Sequence, residues 1–385
     1  MTLGAGPRVV HVTPHYPPFL GGAEKVAETL ALSRRARGLE VIVLTSLDRD
    51  VSGDRSRRPD FVQRLRSWEI ANTSIIPGLL GRLLRLPPRS LIHLHIARAF
   101  VPEMVYAAHL LRRIPYVAHL HLDIGPSGRA GFMLHVYKPL ILGRVLRSAA
   151  VVVVFTDEQR SDVASRYGIN PARIRVIPNG VDENFRYPGP RLPHPRPRLL
   201  FVGRLTVQKN LPLLFHALDG ISDGFETTLV GEGELQDELK ATVNDLHLQN
   251  VRFYGRADGA ELRELYRNAD VFVLPSEREG MPLVLLEALA MGLPVVTTDI
   301  PGNREIILHG QNGALTPLGD PSAFRQALLN ITGDPDTYRR MSEASRRLAE
   351  KYSWETASTE FERLYTEVFE LHICRGHSGM NRSTE

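Results

Sequence analysis

The stretch Val271–Asp299, VFVLPSEREGMPLVLLEALAMGLPVVTTD, sets the architecture of this 385-residue chain. Val271–Leu274 is a short β-branched apolar run, the signature of a strand buried on both faces. Ser276–Gly280 is polar and reads as a loop. Pro282 suits a helix start, where its missing N–H costs nothing. Leu283–Met291 is apolar nearly all round, with Gly292 as a stop and Pro294 just beyond it. Val295–Thr298 is the next strand. The stretch is therefore a β-α-β unit with an acidic loop at the carboxyl end of its first strand, where open α/β sheets bind ligands.

Two carboxylates stand out, Glu279 in the loop and Glu287 eight residues on, inside the helix. A carboxylate two turns into so apolar a helix is expensive unless it is hydrogen-bonded. If the turn through Pro282 presents the backbone N–H groups of Gly280, Met281 and Leu283 at the helix start, that start attracts an anion. Glu279 would lie beside the anion, and Glu287 deeper, both able to accept hydroxyl hydrogen bonds. A nucleotide sugar has those groups. Spacing alone fits equally well a surface loop acid followed by a helix acid on a solvated edge.

The segment S-E-R-E-G-M-P-L-V-L-L-E-A-L-A-M-G-L-P-V-V resembles the signature of the retaining family-4 glycosyltransferases. The resemblance implies the GT-B fold, an α/β architecture of two Rossmann-like domains facing across a cleft. The nucleotide sugar would be held mainly by the second domain.

The length suits two domains rather than one core. No run of 18 apolar residues suggests a membrane span, and MTLGAGPRVVHVTP lacks the shape of a signal peptide. A single cysteine, Cys374, excludes an intrachain disulfide or a cysteine-built metal site. A cytoplasmic setting is expected, with the inner membrane face as a further possibility. The net charge of +4 hides an asymmetry: residues 1–200 carry 29 basic against 15 acidic side chains, and residues 201–385 carry 18 against 28. Such a basic front half could meet an anionic acceptor or an acidic lipid surface, or simply be solvated. No nucleic-acid motif accompanies the charge.

In chain order, RVVHVT (Arg8–Thr13) reads as a strand. The loop that follows leads to Gly21-Gly22 and a helix over Glu24–Arg37. A strand, a glycine turn and a helix start can cradle phosphate, and the resemblance gives this loop to the donor's distal phosphate and the acceptor. Asp48-Arg49-Asp50 looks like the D-x-D of metal-dependent glycosyltransferases, but it is read here as a solvated loop. Residues 52–67 are Arg-rich and expected to be exposed. Ser74–Arg89 mixes Leu with Arg and reads as a helix packed on the sheet, with a membrane- or acceptor-facing helix as the alternative.

Ser90–Ile96 and Pro115–Asp123 are strand runs that end in histidines. A lone strand histidine is usually structural. The resemblance places His121 beside the donor sugar and acceptor, and makes His95, His119 and Asp123 acceptor-side candidates. Gly125–Gly131 would be a mobile loop. Pro178-Asn179-Gly180-Val181-Asp182 matches the family's interdomain turn, and the proline-dense Pro188–Pro197 reads as a semi-rigid linker. The domains are expected at 1–190, joined by a C-terminal helix at 355–372, and at 191–354. Residues 373–385 would be a disordered tail.

The second domain opens with strand Leu199–Val202 and then Gly203, Arg204 and Lys209. A diphosphate needs converging cations, Arg as a rigid fork and Lys as a point charge. Val251–Arg256 ends where the family packs its nucleotide base, around Gly255 and Arg256. The resemblance thus implies Arg204 and Lys209 on the diphosphate, Glu279 on sugar hydroxyls, Glu287 on the ribose and His121 orienting sugar or acceptor. It also implies retention of anomeric configuration. No far-face nucleophile is legible, so front-face attack without a metal or cofactor is expected, with a UDP-sugar favoured as donor and GDP-mannose next. A nucleotide-sugar epimerase of this fold and a non-catalytic nucleotide-sugar-binding protein are the alternatives. A lipid-linked sugar, a polysaccharide precursor and a small natural product are all open as acceptor.

Overall fold

The computed structural model describes residues 7–19, 21–47, 59–70, 73–97, 99–121 and 138–380. Asp48-Arg49-Asp50, Asp123 and the stretch Gly125–Gly131, expected to be a mobile loop, lie outside them. The chain divides into Met1–Pro178 with Glu355–Glu385, and Asn179–Trp354.

The first unit is built on β1 (Arg8–Val12), β2 (Val41–Ser46), β3 (Val62–Leu65), β6 (Ser90–Ile96), β7 (Tyr116–Leu120), β8 (Val151–Val154) and β9 (Ile174–Val176). Between β3 and β6 lies a separate antiparallel pair, β4 (Trp68–Ile70) and β5 (Thr73–Ile75). The main sheet is parallel, in the order β3-β2-β1-β6-β7-β8-β9. Residues 62–65 were expected to lie in an exposed stretch. They instead form this edge strand, half-buried, because Phe61 and Val62 pack against Val41 and Val43.

Side chains alternate across a strand. One face of this sheet is apolar: Val10, Val12, Ile92, Leu94, Ile96, Ala118, Leu120, Val152 and Val154 share one core. The leucines of Ser74–Arg89 join it, with Leu79, Leu83 and Leu86 all buried. The opposite face carries the odd-numbered residues and is covered by the long helix Trp354–Met380, which brings Phe361 and Tyr365 onto it. Arg34 of the helix Gly22–Ala36 pairs with Glu362 of that same helix. Residues 373–380, expected to be a disordered tail, continue the helix, since no proline interrupts them; 381–385 lie outside the described residues.

The second unit has six strands: β10 (Arg198–Val202), β11 (Glu226–Val230), β12 (Val251–Gly255), β13 (Val271–Leu274), β14 (Val295–Thr298) and β15 (Gly313–Thr316). All pairs are parallel, in the order β12-β11-β10-β13-β14-β15. The proline-dense stretch does not behave as a free linker. Arg191 is buried and donates to the carbonyls of Met291, Arg267 and Ala269 while stacking on Tyr187, so the stretch is stitched to the second unit. Among the described residues, no helix is long and apolar enough to cross a membrane.

Candidate functional site

In both sheets the first strand of the unit lies next to the fourth strand of the main order, with the chain winding outward on either side. That is the topological switch point, where the loops at the carboxyl ends diverge and leave a crevice. In the second unit it falls between β10 and β13. Gly203–Asn210 follows β10 and Ser276–Pro282 follows β13, so the two stretches singled out in the sequence meet here.

They are tied together. Lys209 Nζ donates to Glu279 Oε1 at 2.6 Å, with the two side chains only 14% and 9% exposed. Gln208 Nε2 donates to the carbonyl of Arg278 at 2.7 Å, and the amide of Glu277 donates to the carbonyl of Gln208 at 2.9 Å. Lys209 and Glu279, expected to touch different parts of a ligand, are thus a preformed ion pair. A largely desolvated pair needs this geometry, because losing either partner strands a charge. The Arg204 side chain is exposed and makes no hydrogen bond or ion pair among the described residues, as is also true of the Arg256 side chain.

Glycines make the crevice floor thin. A Cβ on Gly231, where φ is +131°, would lie 2.0 Å from the carbonyl oxygen of Gly203, and one on Gly233 would lie 2.2 Å from that of Leu205. The turn after β11 therefore presses directly on the backbone that carries Arg204. Gly255, at φ +84°, turns β12 out towards Arg256.

The helix Leu283–Ala290 begins at Pro282 with no side-chain cap, leaving its start to other partners. Its approach is fixed from two sides. Asn179 Nδ2 donates to the carbonyl of Met281 at 2.9 Å. Gly302 lies so close that a Cβ there would be 2.5 Å from the carbonyl oxygens of both Glu279 and Gly280. Deeper in the helix, Glu287 accepts from the buried Tyr266 hydroxyl at 2.9 Å, and burial, then the neighbouring carboxylate, holds the Tyr266 proton in place far above the usual phenol range. Sequence reading did not find Tyr266, Asn179, Gln208 or Gly302. The N of the P-N-G-V-D turn was the only signal available, and it was read as a turn.

In the first unit the switch point lies between β1 and β6. Gly21 caps the helix Gly22–Ala36 with extended backbone and no side-chain cap. The Glu24 carboxylate folds back over it: a Cβ on Gly21 would lie 2.1 Å from Glu24 Oε2. The position expected for phosphate is thus covered by the helix's own first-turn acid.

The same unit carries five buried histidines on one sheet face: His11, His93, His95, His119 and His121. Their odd numbering puts them on the same side of three strands, and the parallel register sets His11 beside His93 and His95 beside His119. They form two chains. His11 Nδ1 meets His95 Nε2 at 2.9 Å, and His95 Nδ1 meets His121 Nε2 at 2.9 Å. The Tyr365 hydroxyl meets His93 Nδ1 at 2.6 Å, and His93 Nε2 meets His119 Nδ1 at 3.1 Å. Burial lowers all five pKa values, His11 and His121 to about 3, so the rings are neutral. Two trios, His11/His93/His95 and His95/His119/His121, bring ligand atoms within 4.8 Å of one another, but their nitrogens already face each other as hydrogen-bond partners. Holding a cation would break those bonds. His121 alone of the five keeps appreciable exposure, 8%, whereas His119 is sealed against Phe155 and Phe361.

Away from the strand ends, a groove near Tyr187 and Tyr352 holds none of the candidate residues. Asp182, Glu183, Glu343 and Glu350 there face Arg186, Arg346 and Arg347, a mixed lining with no net pull on a diphosphate.

Comparison with known proteins matches residues 20–185 to the family described as Glycosyltransferase Family 4, and residues 186–348 to Glycosyl transferases group 1. The chain is 29% identical over 369 residues to a Mycobacterium tuberculosis glycogen synthase, covering 94% of this chain and 80% of that protein. It is 28% identical over 382 residues to a Mycobacterium leprae phosphatidyl-myo-inositol mannosyltransferase, covering 94% and 97%. Among solved structures, Anabaena HepE in complex with UDP and glucose matches with a TM-score of 0.78 at 20% identity, over 94% of this chain and all of that one. Two switch-point crevices on Rossmann-like units, with both halves matched in sequence, carry one conclusion: this chain belongs to the family-4 glycosyltransferases of the GT-B fold, enzymes that work on nucleotide sugars.

Proposed function

We propose that the chain transfers a hexosyl or N-acetylhexosaminyl unit from a nucleotide diphosphate sugar, a UDP-sugar first and GDP-mannose next, to an acceptor hydroxyl with retention and without a metal. One observation carries the reading: Arg204 and the Lys209–Glu279 pair stand together at the second unit's switch point. In the reaction the bond from the anomeric carbon to the phosphate oxygen breaks and a bond to the acceptor oxygen forms. The acceptor proton passes to the leaving phosphate on the same face. Negative charge grows on the diphosphate, so fixed cations aimed there lower the barrier most. Arg204 supplies a fork and Lys209 a point charge held in place by Glu279. Glu279 keeps its second oxygen for sugar hydroxyls, with the uncapped start of Leu283–Ala290 beside it. Glu287, pre-set by Tyr266, takes the ribose, and the backbone around Gly255 and Arg256 meets the base.

In the first unit, Gly21 and Gly22 serve the distal phosphate once Glu24 swings off the helix start, and His121 meets the sugar or acceptor. His95 and His119 act from behind it. We assign the contact surface for an anionic membrane to another edge of this unit. Leu110 and Leu111 are 61% and 66% exposed beside Arg112 and Arg113, and the segment holding exposed Leu140 and Ile141 packs on the same helix. Apolar side chains flanked by arginine suit an acidic lipid surface.

The test is thermal shift with UDP-, GDP-, ADP- and dTDP-sugars, with and without EDTA. A shift for one nucleotide class, unchanged by EDTA, is expected. No shift for any nucleotide would overturn the donor assignment. Cosedimentation with anionic but not zwitterionic vesicles, lost in Leu110→Ser/Leu111→Ser, checks the membrane surface.

A further inference from the structure

The chain His11–His95–His121 contains three neutral rings and two hydrogen bonds. A neutral imidazole carries one proton, on either nitrogen. Each bond needs one N–H and one lone pair, so only two arrangements exist. In one, His121 donates inward through Nε2, His95 donates to His11, and His11 is left with a proton on Nε2. In the other, His11 donates outward through Nδ1, His95 donates to His121 through its own Nδ1, and His121 carries its proton on Nδ1.

The inner end decides between them. Among the described residues, His11 Nε2 is buried and has no hydrogen-bond partner. The first arrangement would bury an N–H there without an acceptor, and orphaned buried N–H groups are rarer than under-used acceptors. The second arrangement leaves only a bare lone pair.

We infer that His11 and His95 are positioning residues that lock His121 with its proton on Nδ1, so that His121 meets its ligand as a hydrogen-bond donor. This rests on the reading that His121 touches the sugar or the acceptor. It adds what that contact is: the ligand atom facing Nδ1 is an oxygen that accepts, a sugar ring or hydroxyl oxygen. A ring so locked cannot take the acceptor's proton, which leaves that proton to the departing phosphate. The order of the row is built into the sheet. His11 and His95 sit on adjacent parallel strands, His93 stacks on His95 at 4.2 Å, and His119 lies tilted against His121 at 4.3 Å.

The experiment is long-range ¹H–¹⁵N NMR of the full chain labelled at histidine nitrogens, with His121 assigned by its loss in His121→Asn. Couplings to the two ring carbon-bound protons report which nitrogen is protonated. A proton on Nδ1 of His121 is expected. A proton on Nε2 overturns the inference. The second measurement uses His11→Asp, whose carboxylate beside Arg34 only accepts. It should reverse the row, move the His121 proton to Nε2, and lower kcat about tenfold, the worth of one hydrogen bond, with KM for the nucleotide sugar unchanged. A folded His11→Asp chain with parental kcat and an unmoved tautomer overturns it. Full turnover in His121→Ala would instead remove His121 from the site, a failure of the underlying reading that the tautomer measurement keeps separate.

Discussion

The two units solve one problem in different materials. Both wind a parallel sheet outward from a central pair of strands, β1 and β6 in the first unit and β10 and β13 in the second. In the second, the sheet interior is apolar and the chemistry sits on loops beyond the strand ends, with glycines thinning the floor and an ion pair at the rim. In the first, polarity runs back into the sheet itself, as two rows of buried histidines under the final helix. A diphosphate is recognised by charge, held here as an exposed arginine and a lysine pre-paired with a carboxylate. A neutral hydroxyl-bearing group is recognised by orientation, which buried hydrogen bonds supply at the cost of acid sensitivity.

That cost is the largest effect expected. Each buried histidine has a folded-state pKa below its unfolded value of about 6.5, so the unfolded chain binds more protons. Their stabilisation is complete above that value and falls as pH drops towards the folded values, about 3 for His11 and His121. The slope is about 1.4 kcal/mol per pH unit for each ring. Hydrogen exchange of the full chain between pH 7.5 and 5 should show the first unit opening well before the second; synchronous loss would erase the contrast.

On the other side of the comparison, Arg204→Ala or Lys209→Ala should lower kcat by about 10²–10³. Lys209→Ala should also lower Tm, because it strands Glu279, whereas the exposed Arg204 should leave Tm alone. Steady-state kinetics and melting on both variants check this, and a change in kcat under about threefold removes that residue from the site. Gly302→Ala drives a methyl group into two carbonyl oxygens of the acidic loop. A cost of about 1–3 kcal/mol is expected, together with weaker donor binding by calorimetry. Smallest are Tyr266→Phe and Asn179→Ala, each removing one donor from the helix that carries Glu287 or from its approach. Each should raise KM for the nucleotide sugar about fivefold, the equivalent of one net hydrogen bond.

The sequence carried most of the strands. Val271–Leu274, Val295–Thr298 and Ser90–Ile96 appear at the limits expected for them, because buried parallel strands leave dense β-branched or leucine runs. The edge strand β3 escaped, since an edge with half its surface exposed tolerates arginine. The candidate loops after β10 and β13 were legible as motifs. Their supports were not. The contact of Tyr266 with Glu287 and of Asn179 with Met281 joins segments 21 and 102 residues apart, and nothing periodic in a chain encodes such meetings. Pro188–Pro197 misled for a related reason: its proline density reads as a spacer, while the bond pattern of the single buried Arg191 fastens it down.

The histidine rows also constrain how this sheet face can change over generations. Replacing one ring by an apolar residue leaves its neighbour with an orphaned nitrogen, while replacing a whole row leaves nothing unsatisfied. His11, His95 and His121 should therefore drift together, and His93 and His119 together with Tyr365, with mixed rows rare. Single substitutions should be strongly epistatic, each harmful alone and mild in company.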